Sequence, residues 1–187
     1  MISIALPAAV IAAVIGLIAI ARDNKKKKRS TAKRLMVVLF WIYVTAVVHV
    51  TLGTLSYPPN PDAPLRIQLE PLYFLDEWAT YRNHQSVSFF QNASLTFYNF
   101  IMFMPYGFFL AALFKKRFFK SLLILFFTSL LIETTQLVLS YLGIAWMRGF
   151  NVDDLIMNTA GGILVYLFVR IILIIQGKNR RSGKTGK

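Results

Sequence analysis

The sequence predicts an all-α fold: a polytopic membrane helical bundle with five transmembrane helices, N-out and C-in. Three observations predict it. Hydrophobic residues make up 56% of the 187 residues, and the mean hydropathy is +0.56, more apolar than an aqueous domain. The apolar residues gather into uncharged runs long enough to cross a bilayer as helices. The basic residues stand in blocks beside those runs.

Composition also narrows the chemistry. Cysteine is absent, which excludes disulfides, thiol nucleophiles and Cys-ligated metals. Two histidines, His49 and His84, argue against a His-rich metal site, and no cofactor motif stands out. A net charge of +13 would point to nucleic acid in an aqueous protein. Here the charges flank apolar runs, where they serve as topological anchors and contacts for anionic lipid, so membrane lipids rather than nucleic acid are the expected partner.

The first predicted span is Ile2 to Ala21. Its positive charges follow it, the reverse of a cleaved signal peptide. Arg22 to Arg34 is a basic loop expected on the inner side; together residues 1–34 form an N-terminal unit. Leu35 to about Tyr57 is the second span, with His49 in its outer half, and Pro58-Pro59 is expected to end it. Residues 58–95 form the longest polar segment, with more acid than base. Within it, Leu72-Tyr73-Phe74-Leu75 with Trp78 and Tyr81 is aromatic and amphipathic and is expected at the membrane interface. Thr96 to Phe114 is the third span, kinked at Pro105. Ser121 to Leu142 is the fourth and Leu155 to Ile175 the fifth. Residues 35–175 form the membrane domain, and 176–187 a basic inner tail, expected to be disordered.

The orientation follows from charge. Eighteen basic residues fall on the side assigned as inside and only three, Arg66, Arg82 and Arg148, on the other. Cytoplasmic loops carry such an excess, and the inverted arrangement would place nearly all of it wrongly.

Topology then gathers the polar residues. Asn99 lies near the outer end of the third span. Glu133 is twelve residues into the fourth, roughly 18 Å from the inner surface at the helical rise. Gln136 is on the same face one turn further out. Asp153, Asp154 and Asn158 open the fifth span, and Arg148 is in the loop before it. One of Asp153 and Asp154 is expected to cap that helix. Arg148 is expected to pair with Glu133 or Asp154, because a carboxylate at membrane depth must be paired, hydrogen-bonded or protonated. Gly161 and Gly162 should let a neighbouring helix approach closely. The candidate binding residues are therefore Asn99, Glu133, Gln136, Arg148, Asp153, Asp154 and Asn158. Glu133 and Asp154 are the candidates for any acid–base role.

Three segments also carry a family pattern. They are Asn99-Phe100-Ile101-Met102-Phe103-Met104-Pro105-Tyr106-Gly107, then Ile132-Glu133-Thr134-Thr135-Gln136, then Arg148 to Asp154 with Asn158, Gly161 and Gly162. In order and spacing they resemble the VanZ-like family, over about Leu35 to Arg170. The resemblance implies a bacterial multi-pass cell-membrane protein. It also implies an association with resistance to teicoplanin and related lipoglycopeptides, without a change to the terminus of the peptidoglycan precursor.

Three functions stay open at this point. One is a non-catalytic binder of a lipid-linked cell-wall precursor or a lipoglycopeptide at the outer leaflet, with Arg148 on a phosphate or carboxylate. The second is an intramembrane enzyme acting on a lipid phosphate or ester, with Glu133 or Asp154 as general base. The third is a proton-coupled transporter or flippase with Glu133 as carrier. The sequence shows no nucleophile motif, no Gly-rich phosphate loop and no inverted repeat, which favours the first.

Overall fold

The computed structural model describes residues 2–3, 11, 14–16, 18, 31–60, 62–84, 86–145 and 148–185. Its elements run β1 (Ile2–Ser3), α1 (Thr31–Leu52), β2 (Thr54–Leu55), β3 (Arg66–Gln68), α2 (Tyr73–His84), α3 (Ser86–Met102), α4 (Met104–Ala112), α5 (Phe118–Tyr141), β4 (Gly149–Asn151) and α6 (Val152–Thr185). The chain is mostly helical, as expected. Four stretches are long and apolar enough to cross a membrane: Thr31–Leu52, Ala93–Ala112, Phe118–Tyr141 and Val152–Gly177. They correspond to the second to fifth predicted spans. The first predicted span and the basic loop after it fall mostly outside the described residues. At its start, Ile2–Ser3 is extended rather than helical and pairs antiparallel with Thr54–Leu55.

The helix ends have local causes. α1 stops at Gly53, not at the prolines: Gly53 takes φ +61° and its N–H donates to the His49 carbonyl at 2.9 Å. A left-handed glycine closes a helix at little cost, so the chain has already turned before Pro58. The third span is broken rather than merely bent. α3 ends at Met102, Phe103 makes the turn, and Pro105 sits in the first turn of α4. There its missing N–H costs nothing. α6 does not stop at Ile175. It continues to Thr185, so the residues expected to be a disordered tail are largely helical. Once a long helix exists each further residue adds a hydrogen bond without a new nucleus, and basic residues suit a helix C-terminus.

Packing centres on α6. A side chain at Gly107 would collide with the carbonyl of Gly162, and one at Gly161 with the carbonyl of Phe100. Backbones meet directly there, so α3 and α4 lie flat on α6, as the glycine pair led one to expect. In hydrocarbon such close contact replaces the hydrophobic effect as the source of helix association. Phe103, Leu110, Ala111, Leu125 and Tyr166 fill the core beside it. The Tyr166 hydroxyl donates to the Lys116 carbonyl at 2.8 Å, tying α6 to the turn between α4 and α5.

One end of the bundle is built differently from the rest. β3 pairs in parallel with β4, with Arg66 opposite Gly149 and Gln68 opposite Asn151. This joins the polar segment after α1 to the loop before α6. β2 lies at the same end, since it follows α1 directly.

Candidate functional site

A cavity of about 450 Å³ opens at this end, between α1, α3, α5, α6 and the polar segment. Asn99, Glu133, Gln136, Arg148, Asp153 and Asp154 all line it. Six of the seven predicted site residues are thus brought together. Asn158 is not among the lining residues. It lies deeper, 1% exposed, and its amide Nδ2 donates to the Ser129 hydroxyl at 3.0 Å between α6 and α5. His49 is exposed and does not line the cavity.

Each lining residue is held in a definite way. Glu133 is 2% exposed and its Oε2 accepts the backbone N–H of Asn151 at 3.1 Å. Gln136, one turn further along α5, donates Nε2 to the Thr51 carbonyl at 2.7 Å. That carbonyl belongs to the last turn of α1, whose final carbonyl groups have no intrahelical partner. Asp154 accepts from the Asn151 side chain at 3.2 Å, and the side chain of Asn99 stands near it across the interface with α3. Ser140 donates to the Arg148 carbonyl at 2.6 Å and fixes the loop that carries the arginine.

Two expectations need correcting. Asp153 and Asp154 do not cap α6. Asn151 does, its Oδ1 accepting the Asp153 N–H at 2.9 Å. Asn is as good a cap as Asp and stands directly before the helix. Asp153 instead caps a different helix: its carboxylate accepts the N–H groups of Leu72 and of Phe74, the latter at 2.9 Å, at the start of α2. Arg148 forms no salt bridge with Glu133 or Asp154 among the described residues. Its Nη2 donates to the Val50 carbonyl at 3.2 Å, and it acts on both carboxylates only at longer electrostatic range. The freed carbonyl at the end of α1 competes successfully for the guanidinium because it too must be satisfied.

The aromatic segment does more than lie at an interface. Leu72, Leu75 and Tyr73 remain substantially exposed, as an interfacial segment would be. Yet Tyr73, Phe74 and Glu77 of α2 line the cavity and roof it. Partial burial first, and then the charge of Asp153, push the Glu77 carboxyl above its ordinary value. Arg66, Glu77 and Asn151 are among the lining residues that sequence reasoning missed. Arg66 was one of three basic residues on its side, and Asn151 had the cap signature. The strand pairing that brings Arg66 to the site spans three residues and leaves no periodic signal.

The cavity is therefore graded in charge. Glu133 is at its buried floor and Asp154 is half-buried, while Arg66 and Arg148 are exposed at its mouth. Such an arrangement can hold a polar group at the end of a bundle that exposes many large apolar side chains.

Four apolar spans around a polar cavity define a multi-pass membrane protein with a polar chamber at one end of its bundle. The family model described as VanZ/LLP1 matches residues 40–173, a stretch that contains every residue lining the cavity. The chain belongs to the VanZ-like family. No curated protein and no solved structure matches it.

Proposed function

We propose that this chain is a bacterial cell-membrane protein that binds a lipid headgroup or a lipid-tailed ligand in the cavity. In the N-out, C-in arrangement of five spans, the cavity faces the outer leaflet. There the protein contributes to resistance to teicoplanin-type lipoglycopeptides, by binding a lipid-linked cell-envelope component or altering the drug's access to it. The observation that carries this reading is the convergence of Asn99, Glu133, Gln136, Arg148, Asp153 and Asp154 on one cavity. Polar and ionisable groups at membrane depth are costly, and they persist where they line a path or a site. The grouping of only three basic residues at this end, among the described residues, supports the outer placement.

The test is teicoplanin sensitivity in cells carrying Glu133→Gln, Arg148→Ala or Asp154→Asn at matched membrane levels. Each variant is expected to fall to the sensitivity of a deletion strain. Full resistance in all three would sink the reading. Loss of the protein from the membrane would instead mark the cluster as a folding network.

A second reading, an intramembrane enzyme acting on a lipid phosphate or ester, draws on one observation. Glu133 and Asp154 line the same cavity, and the charge of Asp154 reaches Glu133, so two carboxyl groups are available there for acid–base work. Turnover of a lipid phosphate by purified protein, lost in Glu133→Gln, would select it.

A further inference from the structure

The distribution of charge within the cavity narrows the ligand further than the reading above, on which this step rests. The protein carries a net charge of +13, yet its cavity is lined by four of its eight acidic residues and only two basic ones. The two signs are separated by depth. Glu133 is 2% exposed, on the floor, whereas both arginines are exposed.

The protein's own groups leave the floor short of positive charge. Arg148 is engaged with the Val50 carbonyl and forms no salt bridge with Glu133 or Asp154. Asp153 is satisfied by the N–H groups of α2. Glu133 receives a single hydrogen bond, from Asn151 to Oε2, so Oε1 has no protein donor among the described residues. Asp154 accepts from one neutral amide, that of Asn151, with the amide of Asn99 nearby. A buried carboxylate with an open oxygen calls for a donor that carries charge. The walls above it include Tyr73 and Phe74, and aromatic faces attract cations.

We infer that the cavity takes an amphiphile bearing an ammonium group, inserted nitrogen-first against Glu133 and Asp154, with its neighbouring phosphate held at the mouth by Arg148 and Arg66. This reverses the simple expectation of an anion drawn in by Arg148. The arginines act as a gate that retains the anionic half of a zwitterion, and the carboxylates select its cationic half. The ammonium could belong to an aminophospholipid headgroup or to a free amine amphiphile, and the two differ in whether a phosphate accompanies the nitrogen.

The test uses purified full-length protein and soluble short-chain probes, read by calorimetry. Dihexanoyl phosphoethanolamine, dihexanoyl phosphoglycerol and hexylammonium are titrated separately. Phosphoethanolamine is expected to bind at least tenfold tighter than phosphoglycerol. Glu133→Gln and Asp154→Asn should each remove that preference. Arg148→Ala should weaken phosphoethanolamine but not hexylammonium. Hexylammonium binding as tightly as phosphoethanolamine would assign the site to a free amine and remove the arginines from it.

Phosphoglycerol binding as tightly as phosphoethanolamine, or more so, would overturn the inference while leaving a headgroup site in place. Binding of none of the three would overturn the inference, and teicoplanin sensitivity then decides the wider reading by itself. The wild-type preference is measured without any variant, so a poorly folded variant does not blunt the test.

Discussion

Asp153 and Asp154 are adjacent in sequence and serve different elements. Successive residues on a helix point about 100° apart, so one turns back toward α2 while the other turns into the bundle. Asp153 accepts two backbone N–H groups at the start of α2, and charge-assisted bonds of this kind contribute about 1.5–3 kcal/mol when buried. Asp153→Ala should therefore loosen the roof without disturbing the spans. The amides of Leu72 and Phe74 are expected to exchange with solvent tenfold faster or more, by hydrogen-exchange mass spectrometry, while those of α5 stay protected.

Glu77 has the opposite effect. Its carboxyl is raised by burial and by Asp153, so the docked roof binds that proton more tightly than the open segment does. Docking on this account is strongest below the ordinary carboxylate value and weakens as pH rises through the raised one. Glu77→Gln should flatten that dependence and increase roof protection at neutral pH. Sequence showed that both aspartates stood at the right level. It could not assign their partners, because the return path of residues 58–72 is set by the pairing of β3 with β4, not by any local pattern.

At the scale of elements, the spans were legible and their contacts only half so. Hydropathy locates a run that must be helical, and Gly161-Gly162 announces that something approaches closely. Which backbone approaches is a matter of tertiary register: Phe100 meets Gly161, and Gly107 meets Gly162. Gly107, two residues after Pro105, carries no such sign in the sequence. Its position against a carbonyl, which cannot swing aside like a side-chain tip, makes substitution costly. Gly107→Ala should lower stability by about 1–3 kcal/mol, the usual cost of overpacking, despite the better helix propensity of alanine. Gly177 has no neighbouring atoms within 4 Å of an added Cβ and provides the control. Gly177→Ala should be neutral or stabilising by about 0.5–1 kcal/mol. Thermal unfolding in one detergent measures both, and equal behaviour of the two variants would remove backbone contact as the basis of α4–α6 packing.

For the whole molecule, orientation in the membrane governs what the cavity can reach. β1 pairs with β2, which follows the end of α1, so the first residues of the chain lie at the same end as the cavity. α6 starts at the cavity and carries the C-terminal basic residues away from it. If the positive charges are held inside, the cavity and the N-terminus are both outside. The asymmetry is eighteen basic residues against three, each resisting transfer across the bilayer, so it should dominate over any single loop. The absence of cysteine makes this directly measurable, since an introduced thiol has no background. Asp62 is exposed in the polar segment beside the cavity, and Ser182 lies near the far end of α6. In intact cells a membrane-impermeant maleimide is expected to label Asp62→Cys and to spare Ser182→Cys, which should react only after permeabilisation. The reverse pattern would turn the cavity toward the cytoplasm. Its ligand would then have to come from the inner leaflet, and a lipoglycopeptide acting from outside could not reach it.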